Sequence, residues 1–311
     1  MNILLSTDNN YVMPTGVLMI SIGENNGSDV NYYIMTDDKF SDVSRNSLNR
    51  IAERYGNEIS FYTITDDMTK DLPFGRPDQP KGVTIATYYR LFISEILPKD
   101  VHRIIYLDGD MIVRKTLDGL WNENLDGYAI GAVHDMHEGY HCKTARLPYN
   151  MLEKGYLNAG MLLINLDYWR ENNLQDRFMK CVDEHFEKLI FHDQDVLNTT
   201  LHGEIKWLSV TYNYQSAFLE KFSKPGRFGN LEDEIEKYKR DPAIVHFTAE
   251  DKPWKIEVFH TYTKDWRRYY FKSEWRNNHL EGEVNNSIKQ RIRNYLVRHC
   301  LYTPASIYEM F

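Results

Sequence analysis

The chain has 311 residues, 42% hydrophobic and 26% charged, enough to bury a sizeable core in one large domain or two small ones. A formal net charge of −8 argues against a general nucleic-acid binder. Three cysteines, Cys142, Cys181 and Cys300, are far apart, odd in number and lack a Cys-x-x-Cys pair, which points to reduced thiols in a cytoplasmic protein rather than a disulfide framework.

In chain order, Met1-Asn-Ile-Leu-Leu-Ser-Thr-Asp8 has no basic stretch and meets a charge too early for a secretory signal. The uncharged stretch 9–23 contains Pro14 and Gly16 and is too short to span a bilayer. Apolar runs at 3–6, 32–35, 59–64, 103–107, 129–133 and 161–166 read as strands bounded by Asp, Asn or Gly. Residues 11–22, 41–55 and 84–97 have helical length and spacing, with Ser41 as a cap. This alternation predicts an α/β domain with a mostly parallel sheet. Ligands in such sheets bind beyond the carboxyl ends of the strands. Asp8 follows the first strand, Asp108 and Asp110 the fourth, and His246 ends the strand-like run 243–247, so all four fall at one edge.

The most informative stretch is Arg103-Ile-Ile-Tyr-Leu-Asp108-Gly-Asp110-Met-Ile-Val. In an extended segment, side chains at i and i+2 point the same way, so Asp108 and Asp110 can converge on one cation. Carboxylate oxygens without a thiolate suit Mg²⁺ or Mn²⁺, ions that bridge substrate phosphates. A strand end followed by a polar turn is the plain alternative, and a second Asp-x-Asp occurs at Asp193-Gln194-Asp195. Walker, GxGxxG and GxSxG patterns are absent. His137-Glu-Gly-Tyr-His141 matches HExxH literally, but Gly139 inside it and the loop-like flanks do not suit the helix a zinc protease needs.

Farther on, Asn158-Ala-Gly160 precedes an apolar run. The amide suits sugar hydroxyls and the glycine suits close approach of a ligand, although an Asx turn would look the same. His192-Asp193-Gln194-Asp195 opens a helix, where capping accounts for one Asp but not for the cluster. In 246–254, His246 offers an imidazole that beside two carboxylates favours Mn²⁺ over Mg²⁺, and Lys252 can neutralise a leaving phosphate. Charge then changes sign. Residues 261–311 carry nine Lys and Arg against five Asp and Glu, with Trp266, Tyr269, Tyr270, Phe271 and Trp275 among them. Such a tail is either a membrane-surface element or a helical pair packed on the domain.

Taken together, Ser6-Thr-Asp8-Asn-Asn10-Tyr11, Thr87-Tyr-Tyr-Arg90-Leu, Tyr106-Leu-Asp-Gly-Asp110, Asn158-Ala-Gly160, Asp193-Gln-Asp195 and His246…Lys252-Pro-Trp254 resemble family 8 glycosyltransferases. The similarity is to bacterial galactosyl- and glucosyltransferases that build surface glycans, and more distantly to glycogenins. It implies a GT-A fold: a Rossmann-like nucleotide-sugar-binding domain over 1–260, with a helical C-terminal tail over 261–311. The implied activity is Mn²⁺-dependent, retaining transfer of galactose or glucose from a UDP-sugar to a saccharide or lipid-linked saccharide. By the same resemblance Asp108, Asp110 and His246 would bind the metal, Asp8 and Asn10 the uridine, and Lys252 the diphosphate. Arg90, Asp135, Asn158, Asp193 and Gln194 would surround the donor sugar. Ala249 stands where the family pattern has glycine. Gln194 would be a weak nucleophile, which favours attack from the face that UDP leaves; Asp193 as a nucleophile is the alternative. If the acceptor is lipid-linked, the tail would hold the enzyme at the inner membrane face. Two rivals are a metal-dependent nucleotidyltransferase, which would release pyrophosphate, and a non-catalytic sugar-nucleotide-binding protein.

Overall fold

The computed structural model describes residues 1–77, 84–136, 146–219, 231–248, 250–259 and 261–301. The first half runs β1 (Asn2–Ser6), α1 (Val12–Asn26), β2 (Asn31–Thr36), α2 (Asp42–Arg54), β3 (Glu58–Thr63), β4 (Arg103–Leu107) and β5 (Met111–Val113). The second half adds β6 (Ile130–His134), β7 (Leu157–Asn165), α3 (Leu174–His185), α4 (His192–Leu201), β8 (Ile205–Trp207), β9 (Tyr214–Gln215) and β10 (Ile244–His246). Two longer helices, α5 (Thr263–Tyr270) and α6 (Ile288–Arg298), follow.

Seven strands form one sheet in the order β3-β2-β1-β4-β7-β6-β8. All neighbours pair in parallel except β7, which runs antiparallel to both β4 and β6. The expected mostly parallel α/β sheet is thus present, with one reversed strand in its middle. A second sheet, β5-β10-β9, stands beside it. Alternation along the central strands sends side chains to two cores. Ile3, Leu5, Ile105, Leu107, Met161 and Leu163 face one, while Leu4, Ile104, Tyr106, Leu162 and Ile164 face the other. Burial on both faces is why these strands read as continuous apolar runs.

Ser41 caps α2 as expected, its hydroxyl accepting from Ser44 N at 3.1 Å. Residues 84–97 differ from the expected α-helix: a 3-10 stretch over Ile85–Phe92 leads into a single α turn, Ile93–Ile96. Tertiary contacts override propensity there, since Arg90 is drawn into the sheet edge.

Helix α5 packs on α1. Trp266, Tyr269 and Tyr270 are buried in the same core as α1, and Trp266 lies 5.8 Å from the Trp254 ring. Those three aromatics are therefore core rather than a free interfacial face. On α6, by contrast, Ile288, Ile292 and Tyr295 are exposed at positions one turn apart. Among the described residues, no helix is long and apolar enough to cross a membrane.

Candidate functional site

Strand β4 ends at Leu107, and residues 108–110 turn the chain into β5. This corrects the expectation of an extended Asp-x-Asp: the carboxylates converge across a turn. Gly109 is needed at its centre because a Cβ there would lie 2.8 Å from Thr15 Oγ1 and 3.0 Å from Tyr11 Cδ1. The antiparallel pairing of β5 with β10 sets His246 opposite Met111, next to Asp110. Asp108, Asp110 and His246 consequently offer ligand atoms that all lie within 4.8 Å of one another.

Hydrogen bonds fix how the imidazole faces. His246 Nδ1 donates to Asn213 Oδ1 at 3.0 Å, so in the neutral ring Nε2 turns its lone pair toward Asp110 Oδ1, 3.3 Å away. That Oδ1 is buried and has no hydrogen-bond partner. Two facing acceptors with a second carboxylate beside them make a donor set that fits a hard divalent cation, with the imidazole favouring Mn²⁺. The other Asp110 oxygen accepts from Lys252 Nζ, which also donates to Phe247 O at 2.6 Å. Burial pushes the Asp110 carboxyl up, yet the Lys252 ammonium and neighbouring His246 outweigh it and hold the group well below the usual range.

Arg90 joins this cluster to the next. Its Nη2 donates to Asp108 Oδ1 at 2.9 Å, its Nη1 donates to Ala159 O, and its Nε donates to Thr87 O at 3.1 Å. Asp193 Oδ2 lies 2.9 Å from that Nε but off the N–H direction, so the contact is an ion pair without a hydrogen bond. Thr87 Oγ1 donates to the other Asp193 oxygen. Burial still raises the Asp193 carboxyl to about 6, against the pull of Arg90 and Thr87.

Beyond Arg90 an amide chain backs a cavity of about 160 Å³, which Asn158 and Gln194 line. Asn213 Nδ2 donates to Asn158 Oδ1 at 2.8 Å, and Asn158 Nδ2 donates to Asp135 Oδ2 at 2.8 Å. Gln194 Nε2 donates to that same Asp135 oxygen at 3.3 Å, while Gln194 Oε1 accepts from Ala159 N at 3.0 Å. Gln194 is thereby tied at both ends. Asn158 belongs to β7 itself, not to a turn ahead of it. Gly160 lines the cavity together with His246, and a Cβ at 160 would lie 2.3 Å from Cε1 of that ring.

Asp8 follows β1 at the same sheet edge, and its Oδ1 accepts from Asn10 N at 2.9 Å and Tyr11 N at 2.8 Å. Asn10 is exposed beside it. Tyr11 links them to the carboxylates: burial, then Asp110, Asp108 and Asp8, hold its phenol well above its usual range. The structure thus gathers Asp108, Asp110, His246, Lys252, Arg90, Asp193, Gln194, Asn158 and Asp135 into one connected cluster, with Asp8 and Asn10 at its rim. Sequence reasoning missed Asn213, for which no spacing gives a signal, and Tyr106, whose hydroxyl donates to Asp108 Oδ1 at 2.7 Å. His137 and His141 of the HExxH match, and Ala249, lie outside the described residues.

Comparison with known proteins agrees with this fold. The galactosyltransferase LgtC, solved in complex with donor and acceptor sugar analogues, superposes with a TM-score of 0.78 at 22% identity, covering 89% of this chain and 99% of that one. General stress protein A of Bacillus subtilis is 29% identical over 197 residues, 62% of this chain and 67% of that protein. The lipopolysaccharide glucosyltransferase WaaO of Escherichia coli is 26% identical over 306 residues, 96% of this chain and 86% of that protein. The profile of Glycosyl transferase family 8 matches residues 2–257, and the chain belongs to that family.

Proposed function

We propose that this glycosyltransferase moves galactose or glucose from a UDP-sugar to a saccharide acceptor, with retention at the anomeric carbon and with Mn²⁺ as its metal. The observation that carries this reading is the Asp108–Asp110–His246 cluster, two of its members buried, joined through Asn213, Asn158 and Asp135 to Gln194. A metal cluster and a sugar-sized polar floor in one cavity suit a substrate made of a diphosphate and a hexose.

Asp108, Asp110 and His246 would hold the cation, which when bound neutralises charge growing on a diphosphate leaving group. Lys252, its ammonium already beside Asp110, adds a second positive charge for the departing UDP. Asp8 and Asn10 serve the uridine end. Arg90, fixed between Asp108 and Asp193, sets the distance from phosphate to sugar. Asn158, Asp135 and Gln194 orient the hexose hydroxyls. Gln194 is a poor nucleophile with its oxygen already bonded to Ala159 N, which supports attack by the acceptor hydroxyl on the face that UDP vacates. Asp193 guards that face as a buried carboxylate paired with Arg90.

The acceptor in this proposal is a growing surface glycan, lipid-linked, by analogy with the lipopolysaccharide glucosyltransferase WaaO. We place the enzyme in the cytoplasm, at the inner membrane face, with α6 as the contact; Cys181 and Cys300 are free thiols, in keeping with a reducing compartment. No nucleic-acid partner is proposed, given the net charge of −8.

The test is a panel of UDP-, GDP- and dTDP-sugars with Mn²⁺ or EDTA, read first by thermal stabilisation and then by product analysis. Stabilisation by UDP-galactose or UDP-glucose with Mn²⁺, and release of UDP on adding acceptor, is the expected result. Release of pyrophosphate, or binding without turnover on any acceptor, overturns it.

A further inference from the structure

Asp195 shares a helix turn with Asp193 and Gln194, yet its carboxylate is not available to a substrate. It is wholly buried and takes four donors. Arg146 grips both oxygens, Nη2 on Oδ1 and Nη1 on Oδ2, each at 2.5 Å. Tyr156 OH donates to Oδ1 at 2.6 Å, and Phe191 N donates to Oδ2 at 2.7 Å. Asp195 N in turn donates to Phe191 O at 3.4 Å, so residues 191 and 195 close the first turn of α4 on each other.

Inside that closed turn the backbone is strained. His192 has a φ of +50°, in the left-handed region that a side chain with a Cβ rarely adopts. Such a conformation persists where surrounding contacts over-determine it. Here they do: Arg146 stacks 5.0 Å from the centre of the Phe191 ring, and Asn198 pairs with both backbone groups of Leu157, accepting at 2.7 Å and donating at 3.1 Å. Tyr156 and Leu157 lead into the stretch of β7 that carries Asn158 and Ala159, the partners of the Gln194 network. Helix α4 and the start of β7 are thus bolted together on either side of Gln194.

We propose that Arg146 and Tyr156 are positioning residues for sugar transfer: by gripping Asp195 they hold the strained Phe191–Asp195 turn, and with it the Gln194 amide, at the cavity floor. This rests on the transferase reading. Neither residue contacts the metal cluster, so loosening the grip should disturb the sugar end and spare the nucleotide end.

The experiment uses the full chain and three variants, Tyr156→Phe, Arg146→Lys and Asp195→Asn. Tyr156→Phe removes one hydroxyl and keeps the buried ring, so it remains informative if Arg146→Lys folds poorly. Each is measured for Tm, for UDP binding with Mn²⁺, and for kcat and KM of transfer, alone and combined with Gln194→Ala. The expected result is a fall in kcat of about 10–100-fold with UDP affinity unchanged. On the Gln194→Ala background the same variants should cost little more, because the group they position is gone. Unchanged kcat, a change in Tm alone, or losses that multiply fully with Gln194→Ala overturn the proposal. If the unmodified protein itself transfers no sugar, the failure lies in the transferase reading.

Discussion

Gly160 and His246 compete for the same space: a side chain on residue 160 would place its Cβ 2.3 Å from Cε1 and 2.8 Å from Nδ1 of the imidazole. Gly160 sits in β7 with an ordinary strand conformation, so alanine is permitted by its backbone and excluded by the ring. Gly160→Ala is therefore expected to push His246 off Asn213 and weaken Mn²⁺-dependent UDP binding by about 10–100-fold. Calorimetry checks this, and the double variant Gly160→Ala/His246→Ala should bind no worse than His246→Ala alone. Full additivity of the two losses would count against a shared cause.

Asp110→Ala removes the carboxylate shared by the cation site and Lys252. Transfer should fall by at least about a thousandfold, the scale of losing one preorganised charged partner at a reacting phosphate. Loss of the buried partner of Lys252 should lower Tm, while far-UV circular dichroism should not change because the hydrophobic core is untouched. Metal-free transfer by Asp110→Ala at the rate of the unmodified protein would remove Asp108–Asp110–His246 from the mechanism.

Gln194→Ala should slow transfer by about a hundredfold without abolishing it, since an orienting group leaves the leaving-group chemistry intact. Gln194→Glu puts a carboxylate where Nε2 now donates to Asp135, 3.3 Å away. Like charges at that distance favour sharing a proton, so the variant should regain activity toward pH 5.5 relative to pH 8. A flat ratio across that range would show that Asp135 does not face position 194 in solution.

The two buried aspartates act on stability in opposite directions and in different pH windows. Asp193 is raised to about 6 by burial, with Arg90 and Thr87 opposing and Asp108 adding to the rise. Between its unfolded value near 4 and about 6, the folded protein keeps a proton the unfolded chain has lost, so stability from this site falls as pH rises. Asp110 is lowered by Lys252 and His246, so its contribution is lost only as pH drops below about 4. Asp193→Asn should accordingly gain stability relative to the unmodified protein on going from pH 4 to pH 7, by up to about 3 kcal/mol for a two-unit shift. Denaturant titrations at both pH values measure it, and an equal difference at each would refute the raised value.

The proposed binding to anionic membranes rests on α6 alone. Ile288→Ser/Ile292→Ser removes the exposed apolar stripe and should release the protein from anionic vesicles, with salt doing the same through the exposed Lys289 and Arg291, each worth about 1 kcal/mol near a charged surface. Transfer to a soluble acceptor should be unaffected. Deleting everything beyond residue 260 is a poorer test, because it strips Trp266, Tyr269 and Tyr270 from the core, and one buried Trp→Ala change costs about 3–5 kcal/mol. Vesicle binding by the double Ser variant at the original level would assign the tail to packing.

The sequence by itself determined the alternation of strands and helices, the carboxyl-edge placement of Asp8, Asp108, Asp110 and His246, and the six ordered motifs that mark the family. These are legible because strand periodicity, caps and motif spacing are local properties, readable without knowing what packs on what. Tertiary structure alone decided the rest. The reversed strand β7 places Asn158 and Gly160 beside the metal cluster, and nothing in its apolar run specifies direction. Pairing of β5 with β10 brings His246 to Asp110 across 136 residues of chain. Asn213 holds the imidazole from a loop with no pattern at all. Asp193 and Asp195 look alike in sequence, two carboxylates in one helical turn. Only their partners, Arg90 at the cavity for one and Arg146 with Tyr156 behind it for the other, give them different chemistry. Contacts between residues far apart in sequence set charge, orientation and burial, and those three quantities separate a site from a motif.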